Sequence, residues 1–289
     1  FDTSVSDLSP LREMRTLKKL GVGRTKVTSL TELAGLSLNT LYLQQTAVSD
    51  LSPLRNMPLV TLELLGTRVT DLKPIAGLPI KDLDLSLTGI IDFSPLAQLP
   101  ELEHCKLQGN RIRDLAVFQD LKLKTLVLWK CPDAHNYRSL ANIKTLETLV
   151  LPYEYRNLPI ADYEAIGELR QHPNLKKLAA DVANQTTLNS IGSKEEFWKD
   201  WEREKSFILP LRRAAIQFSC AKQPSGKYCV GINDSGLTDL AMLKGAPIEQ
   251  LHIVSEFVKD LSPLAGMPLE SLFIVGDFAD LSPLRGMPL

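Results

Sequence analysis

The sequence has no excess of either charge. Its 33 basic and 34 acidic residues leave a net charge of −1, which argues against the field of a nucleic-acid-binding or membrane-surface protein. No apolar run approaches the roughly 20 residues needed to span a bilayer. Cysteine is scarce, and Cys105, Cys131, Cys220 and Cys229 are too scattered for the C-x-x-C pairs of a zinc site. His104, His135, His172 and His252 lie in separate stretches with no second ligand near them in sequence, so no metal is expected. The G-x-S-x-G elbow, the Ser/His/Asp order and the glycine-rich loop, V-A-I-K, H-R-D and D-F-G elements of a kinase are all missing. "GVGRT" at Gly21 lacks the helix-opening context of a phosphate loop. No cofactor and no catalysis are expected. There is no initiator methionine and no signal-type segment, and the last residues, "DLSPLRGMPL", stop in mid-phrase. A fragment of a longer protein is therefore expected.

What the chain has in abundance is one phrase. Residues 50–66 read "DLSPLRNMPLVTLELLG", with close copies from Asp71 and Asp260. The residue before each L-x-P-L-like element is Asp7, Ser29, Asp50, Asp71, Asp92, Asp114, Asn136 and Asp162, at spacings of 22, 21, 21, 21, 22, 22 and 26. A second series runs Asp239, Asp260 and Asp280. Each unit carries L-x-x-L-x-L-x-x-T, as in Leu59, Leu62, Leu64 and Thr67. The alternation of its centre is that of a short strand with one buried face. Behind it, Asp or Ser can cap a short helical turn in which Pro sits early. One such unit cannot bury its leucines alone, so units must stack.

With this pattern the sequence resembles the leucine-rich-repeat superfamily over Phe1–Leu178 and Tyr228–Leu289. Within it, the likeness is to short bacterial repeats with Thr at the ninth position and "DLSPL" behind it. The resemblance implies an α/β solenoid with a parallel sheet on the concave face and short helical or 3-10 turns on the convex face. Many members place Asn at the ninth position, where its amide ladders successive turns. Here that position reads Thr25, Thr46, Thr67, Thr88, Asn110 and Cys131, then Glu256 and Asp277, so no continuous amide ladder is expected.

The expected organisation is a first array over 1–178, a helical insertion or cap over 179–228, and a second array over 229–289. In the insertion, Ser193 is a candidate N-cap for a helix reaching about Lys205, with Phe197, Trp198 and Trp201 on one face. That face either packs as a cap or docks a partner. "LPLRRAAIQFSC" reads as a second short helix, Pro224-Ser225-Gly226 as a turn and Tyr228–Ile232 as a strand. "NQT" at Asn184 and "NDS" at Asn233 match the glycosylation sequon by spacing alone. His172-Pro173-Asn174-Leu175, Glu196-Phe197-Trp198 and Asp260–Leu264 resemble repeat regions attached to bacterial eukaryotic-type serine/threonine protein kinases. That implies a regulatory or substrate-recruiting role for a kinase outside this chain. A cell-surface adhesion module of the internalin type is the other alternative.

Strand alternation leaves positions 3, 5, 7 and 8 of each unit on the open sheet face. Tyr42, Glu63, Asp82 and Asp84 form a polar, acidic stretch there, followed by Lys106. Val127, Trp129, Val150 and Tyr153, with Tyr155 beside them, form an aromatic–aliphatic patch. Such a patch needs a cover, either a partner or the chain's own 152–161 loop or 193–205 helix. The expectation is a non-catalytic scaffold binding a protein on its concave sheet, with no nucleic acid and no membrane insertion. Cys105 and Cys131 should point inward, while Cys220 and Cys229 flank a turn and a disulfide between them stays open. Free inward thiols favour the cytoplasm, with the cell surface or secretion as the alternative.

Overall fold

A computed structural model describes residues 3–180 and 193–289; the triplet at Asn184 lies outside them. Two compact units divide the chain. Unit 1 is Phe1–Tyr153 with Ala165–Lys194, and unit 2 is Glu154–Glu164 with Glu195–Leu289.

Unit 1 is built on one sheet whose eight strands lie in chain order: β1 (Lys19–Gly21), β2 (Thr40–Tyr42), β3 (Thr61–Glu63), β4 (Asp82–Asp84), β5 (His104–Lys106), β6 (Thr125–Val127), β7 (Thr148–Val150) and β8 (Lys177–Ala179). Every neighbouring pair is parallel and unshifted, so Leu20, Leu41, Leu62, Leu83, Cys105, Leu126, Leu149 and Leu178 form one row. From Leu41 onwards that row is buried, as are Leu43, Leu64, Leu85, Leu107, Leu128 and Leu151 two residues further along each unit. The expected strands and inward positions are therefore present.

Between strands run short 3-10 turns, among them Ser52–Leu54 and Lys73–Ile75, with Pro53 and Pro74 in second place. The capping device is an Asx turn. Asp50 Oδ1 accepts the Ser52 N–H at 2.8 Å, and Asp92 Oδ1 accepts the Ser94 N–H at 2.9 Å. Asp7, Asp71, Asp114, Asp239, Asp260 and Asp280 repeat the bond. The exit from the turn needs left-handed backbone. Gly77 has φ +78° and a Cβ there would meet nothing within 4 Å, so glycine serves conformation rather than space. Asn56 takes the same place at φ 62°.

The capping bonds couple the repeats to pH. Bonds from Ser52 and Ser94 hold Asp50 and Asp92 below the ordinary aspartate value of 3.8. A carboxyl depressed in the folded state contributes stability above the ordinary value and loses it as pH falls through and below it. Urea-unfolding stability should therefore decline from pH 5 to pH 2.5. Asn accepts the same N–H without titrating, so Asp50→Asn with Asp92→Asn should make that decline shallower. An unchanged slope would remove the caps from the acid response.

At the ninth position, Thr46 and Thr67 donate to the carbonyls of Leu43 and Leu64 in their own turns, each at 2.8 Å. Asn110 bridges two units, its amide donating to Leu85 O at 2.8 Å and Leu107 O at 3.0 Å. The sheet is thus stitched by main chain and leucine, without a continuous amide ladder.

Unit 2 carries α2 (Lys194–Arg213) from Glu195 onwards and a four-stranded sheet. Its strands are β9 (Phe218–Lys222), β10 (Tyr228–Asn233), β11 (Ile248–Val254) and β12 (Ser271–Val275). β9 and β10 form an antiparallel hairpin through Gly226, and β10, β11 and β12 are parallel. Two expectations are corrected here. α2 is one helix that runs past Lys205 and through Pro210, and Phe218–Cys220 is strand rather than helix. Phe197, Trp201, Glu204, Ile208 and Leu211 recur at 4-3-4-3 spacing on a single buried stripe, which carries the helix across a proline in its last turn. The helix ends at Arg213 and is closed by Ala215, left-handed at φ 57°, with Ile216 N–H bonded to Leu211 O and Ala215 N–H to Arg212 O. In the second array Glu256 and Asp277 are exposed. Ser255 turns inward instead, donating to Leu237 O at 2.6 Å, because the longer β11 shifts the turn by one residue.

Candidate binding face

The open face of the unit 1 sheet carries two rows of side chains. One runs Lys19, Thr40, Thr61, Asp82, His104, Thr125, Thr148 and Lys177, the other Gly21, Tyr42, Glu63, Asp84, Lys106, Val127, Val150 and Ala179. Their alternation with the buried row follows from the pleat.

Over β2 to β5 this face forms a depression of about 450 Å³ lined by Tyr42, Thr61, Glu63, Asp82, Asp84 and Lys106, with His104 at its side. The acidic stretch expected from the sequence is thus brought together. Its charges are partly committed. Asp84 Oδ1 accepts the Ser86 N–H at 2.9 Å, and its Oδ2 lies 3.7 Å from Lys106 Nζ. The Glu63 carboxyl is pushed up, first by burial and then by Asp84 beside it. Lys19 Nζ stands 5.2 Å from the centre of the Tyr42 ring. Along the edge, Glu103 bridges Lys124 at 2.5 Å and Lys81 at 3.6 Å.

The second group is less open than its sequence suggests. Val150 is buried, covered by Val127, Trp129 and Ala179, and offers no surface of its own. Trp129 is half-buried under Lys130 Nζ at 4.7 Å, whereas Tyr153 is exposed. Tyr155 belongs elsewhere: it is buried in unit 2, its ring stacked 6.0 Å from Trp201. There α1 (Ile160–Glu168) supplies Tyr163, stacked 4.2 Å from Trp201, and Phe197 meets Trp198 edge-on at 5.0 Å. The aromatic face of α2 is therefore interior.

The remaining sequence candidates have structural roles. His172 is buried; its Nε2 lies 3.0 Å from Ile143 O and its Nδ1 accepts the Leu175 N–H at 3.1 Å. All four cysteines are reduced thiols. Cys220 pairs across the hairpin with Val230, and Cys229 with Ala221, so pleating turns the two thiols to opposite faces and no disulfide joins them. Burial pushes the Cys220 thiol up to about 12. Among the described residues, no three His, Cys, Asp or Glu side chains gather as a metal site, and no helix is long and apolar enough to cross a membrane.

No protein-family model and no curated protein matches the chain. Solved structures do. An internalin (inlF) of Listeria monocytogenes aligns with a TM-score of 0.50 at 20% identity, over 98% of this chain and 75% of that one. The chain has a leucine-rich-repeat fold. The repeats that carry this fold are those that place the two side-chain rows in register. Internalin C2 of the same organism is 27% identical over 53% of this chain and 70% of its own, with a TM-score of 0.48. A leucine-rich-repeat protein of Leptospira interrogans is 15% identical over 96% of this chain and 78% of its own, with a TM-score of 0.34. The association with kinase-attached repeats stays an expectation from the sequence motifs.

Proposed function

We propose that this leucine-rich-repeat chain is a non-catalytic scaffold that binds a protein partner on the open face of the unit 1 sheet. One observation carries the reading: the buried row is almost uniformly leucine, while the two rows flanking it change from strand to strand. The scaffold fixes the spacing and leaves the chemistry of the face free. Tyr42 beside Glu63, Asp82 and Asp84 offers one contact region, and Trp129 with Tyr153 a second. Four reduced thiols fit a reducing compartment, which favours the cytoplasm.

The test is capture of proteins from a lysate by the wild type and by two variants, Glu63→Lys with Asp84→Lys, and Trp129→Ala with Tyr153→Asp. The expected result is a protein retained by the wild type and by an outer-surface control, Lys122→Ala, but lost from at least one face variant that melts like the wild type. Identical captures by all four forms would sink the reading.

A further inference from the structure

The repeats compare the chain with itself, and one unit departs from the others on the loop side of the sheet. After the ninth position, the next residue is Lys26, Ala47, Arg68 or Arg111 in its neighbours and Gly89 here. Two residues further on, Thr28, Ser49, Thr70 and Arg113 give way to Ile91. Ile91 is 89% exposed, although it neighbours Ile90 and Phe93, which are buried. Removing a side chain at 89 and placing an apolar one at 91 leaves a groove of about 880 Å³, lined by Ile91, Phe93, Ala97, Ile112 and Val117. Gly89 is not forced by conformation, since it has no left-handed φ, and a Cβ there would meet the Thr70 methyl at 3.3 Å and the Val69 carbonyl oxygen at 3.9 Å.

Arg111 and Arg113 stand on the same groove, and neither has an ion pair among the described residues. The two carboxylates nearby are engaged in backbone caps. Asp92 accepts the Ser94 N–H, and Asp114 accepts the Ala116 N–H and the Asn136 amide. The groove thus sets the exposed Ile91 and Ala97 and the half-buried Val117 beside two guanidinium groups that have no ion pair among the described residues. Guanidinium is the group best shaped to hold a carboxylate through paired hydrogen bonds.

We propose that this groove is a second docking surface, separate from the sheet face, for an extended acidic segment of a partner protein. The segment lays one large apolar side chain against Ile91, Ala97 and Val117 and sets an adjacent Asp or Glu carboxylate on Arg111 and Arg113. An anchor residue in a pocket with charges at its rim is a common division of labour in peptide recognition.

The experiment is selection of phage-displayed random dodecapeptides on the whole chain, with depletion on the Gly89→Arg variant, which restores the residue type of Arg68 and Arg111. Ile91→Asp, at a fully accessible position, serves as a second depletion target should Gly89→Arg melt early. Surviving peptides should combine a large apolar residue with a neighbouring Asp or Glu. As synthetic peptides they should lose roughly tenfold or more in affinity on Arg111→Glu with Arg113→Glu, and should be indifferent to Glu63→Lys with Asp84→Lys. Survivors without carboxylates, survivors indifferent to the arginines, or no clone that distinguishes wild type from the depletion variants would overturn the proposal. The last control separates this groove from the sheet face, so either surface can fail alone.

Discussion

Glu204→Ala is expected to cost about 3–5 kcal/mol of stability. Glu204 and Arg156 are 0% and 3% exposed at their side chains, and Arg156 Nε donates to Glu204 Oε2 at 2.7 Å. The Tyr155 hydroxyl donates to the other carboxylate oxygen at 2.5 Å. Burial pushes the Glu204 carboxyl up, while Arg156 and Tyr155 oppose that push. Truncating the glutamate therefore removes the buried carboxylate that faces the guanidinium, which lies over the Tyr155 ring, 4.5 Å from its centre. Replacing both partners removes both desolvation costs. Glu204→Leu with Arg156→Leu is expected to lie within about 1–2 kcal/mol of the wild type, and that non-additivity is the signature of the pair. Urea unfolding followed by the fluorescence of Trp198 and Trp201 measures both forms. A single-variant cost below about 1 kcal/mol would mean that water reaches the pair, contrary to its burial.

Glu204 also shows where the sequence was readable and where it was not. The strands and turns follow from local rules: alternation fixes L-x-L, Asp fixes the turn two residues on, and the repeat multiplies each signal. The buried ion pair is a long-range contact, with partners 48 residues apart. A trace of it exists in the sequence, since Glu204 continues the spacing of Phe197 and Trp201 toward Ile208 and Leu211. Ending the helix near Lys205 hides that trace, because the stripe then stops at Trp201. Pro210 invites the same error, since its cost is visible locally while the burial that outweighs it is not. The candidate face divides in the same way. Register placed Tyr42, Glu63, Asp82, Asp84 and Lys106 around one depression, as alternation alone requires. Val150 obeys the alternation too, yet Trp129 and Val127 close over it, and side-chain cover of that kind has no period to read. Ser255 was missed because an extension of β11 moves the turn by one residue while the leucine spacing stays the same.

Two leucines four residues apart should respond in opposite ways to truncation. Leu83 is 2% exposed in the middle of β4, in register with Leu62 on one side and Cys105 on the other. Leu83→Ala opens a gap that no neighbour can close without breaking that register, and is expected to cost about 2–5 kcal/mol. Leu87 is 53% exposed and sits at a left-handed φ of 54°. Its counterparts one unit before and one unit after are Gly66 and Gly109, at φ 67° and 75°. Leu87→Gly relieves a backbone that costs a branched residue about 1–2 kcal/mol, offset in part by the freedom glycine adds to the unfolded chain. Its expected effect is neutral to stabilising by up to about 1 kcal/mol. Urea unfolding of both variants decides the matter, and a Leu87→Gly cost as large as that of Leu83→Ala would overturn the division into inward and outward positions. In a stacked array the unit of stability is the interface between neighbouring repeats, so Leu83 serves two interfaces at once while Leu87 only rests its tip over Gly109. The same phrase thus repeats wherever a residue has a repeat on both sides, and varies wherever it has only solvent or a partner.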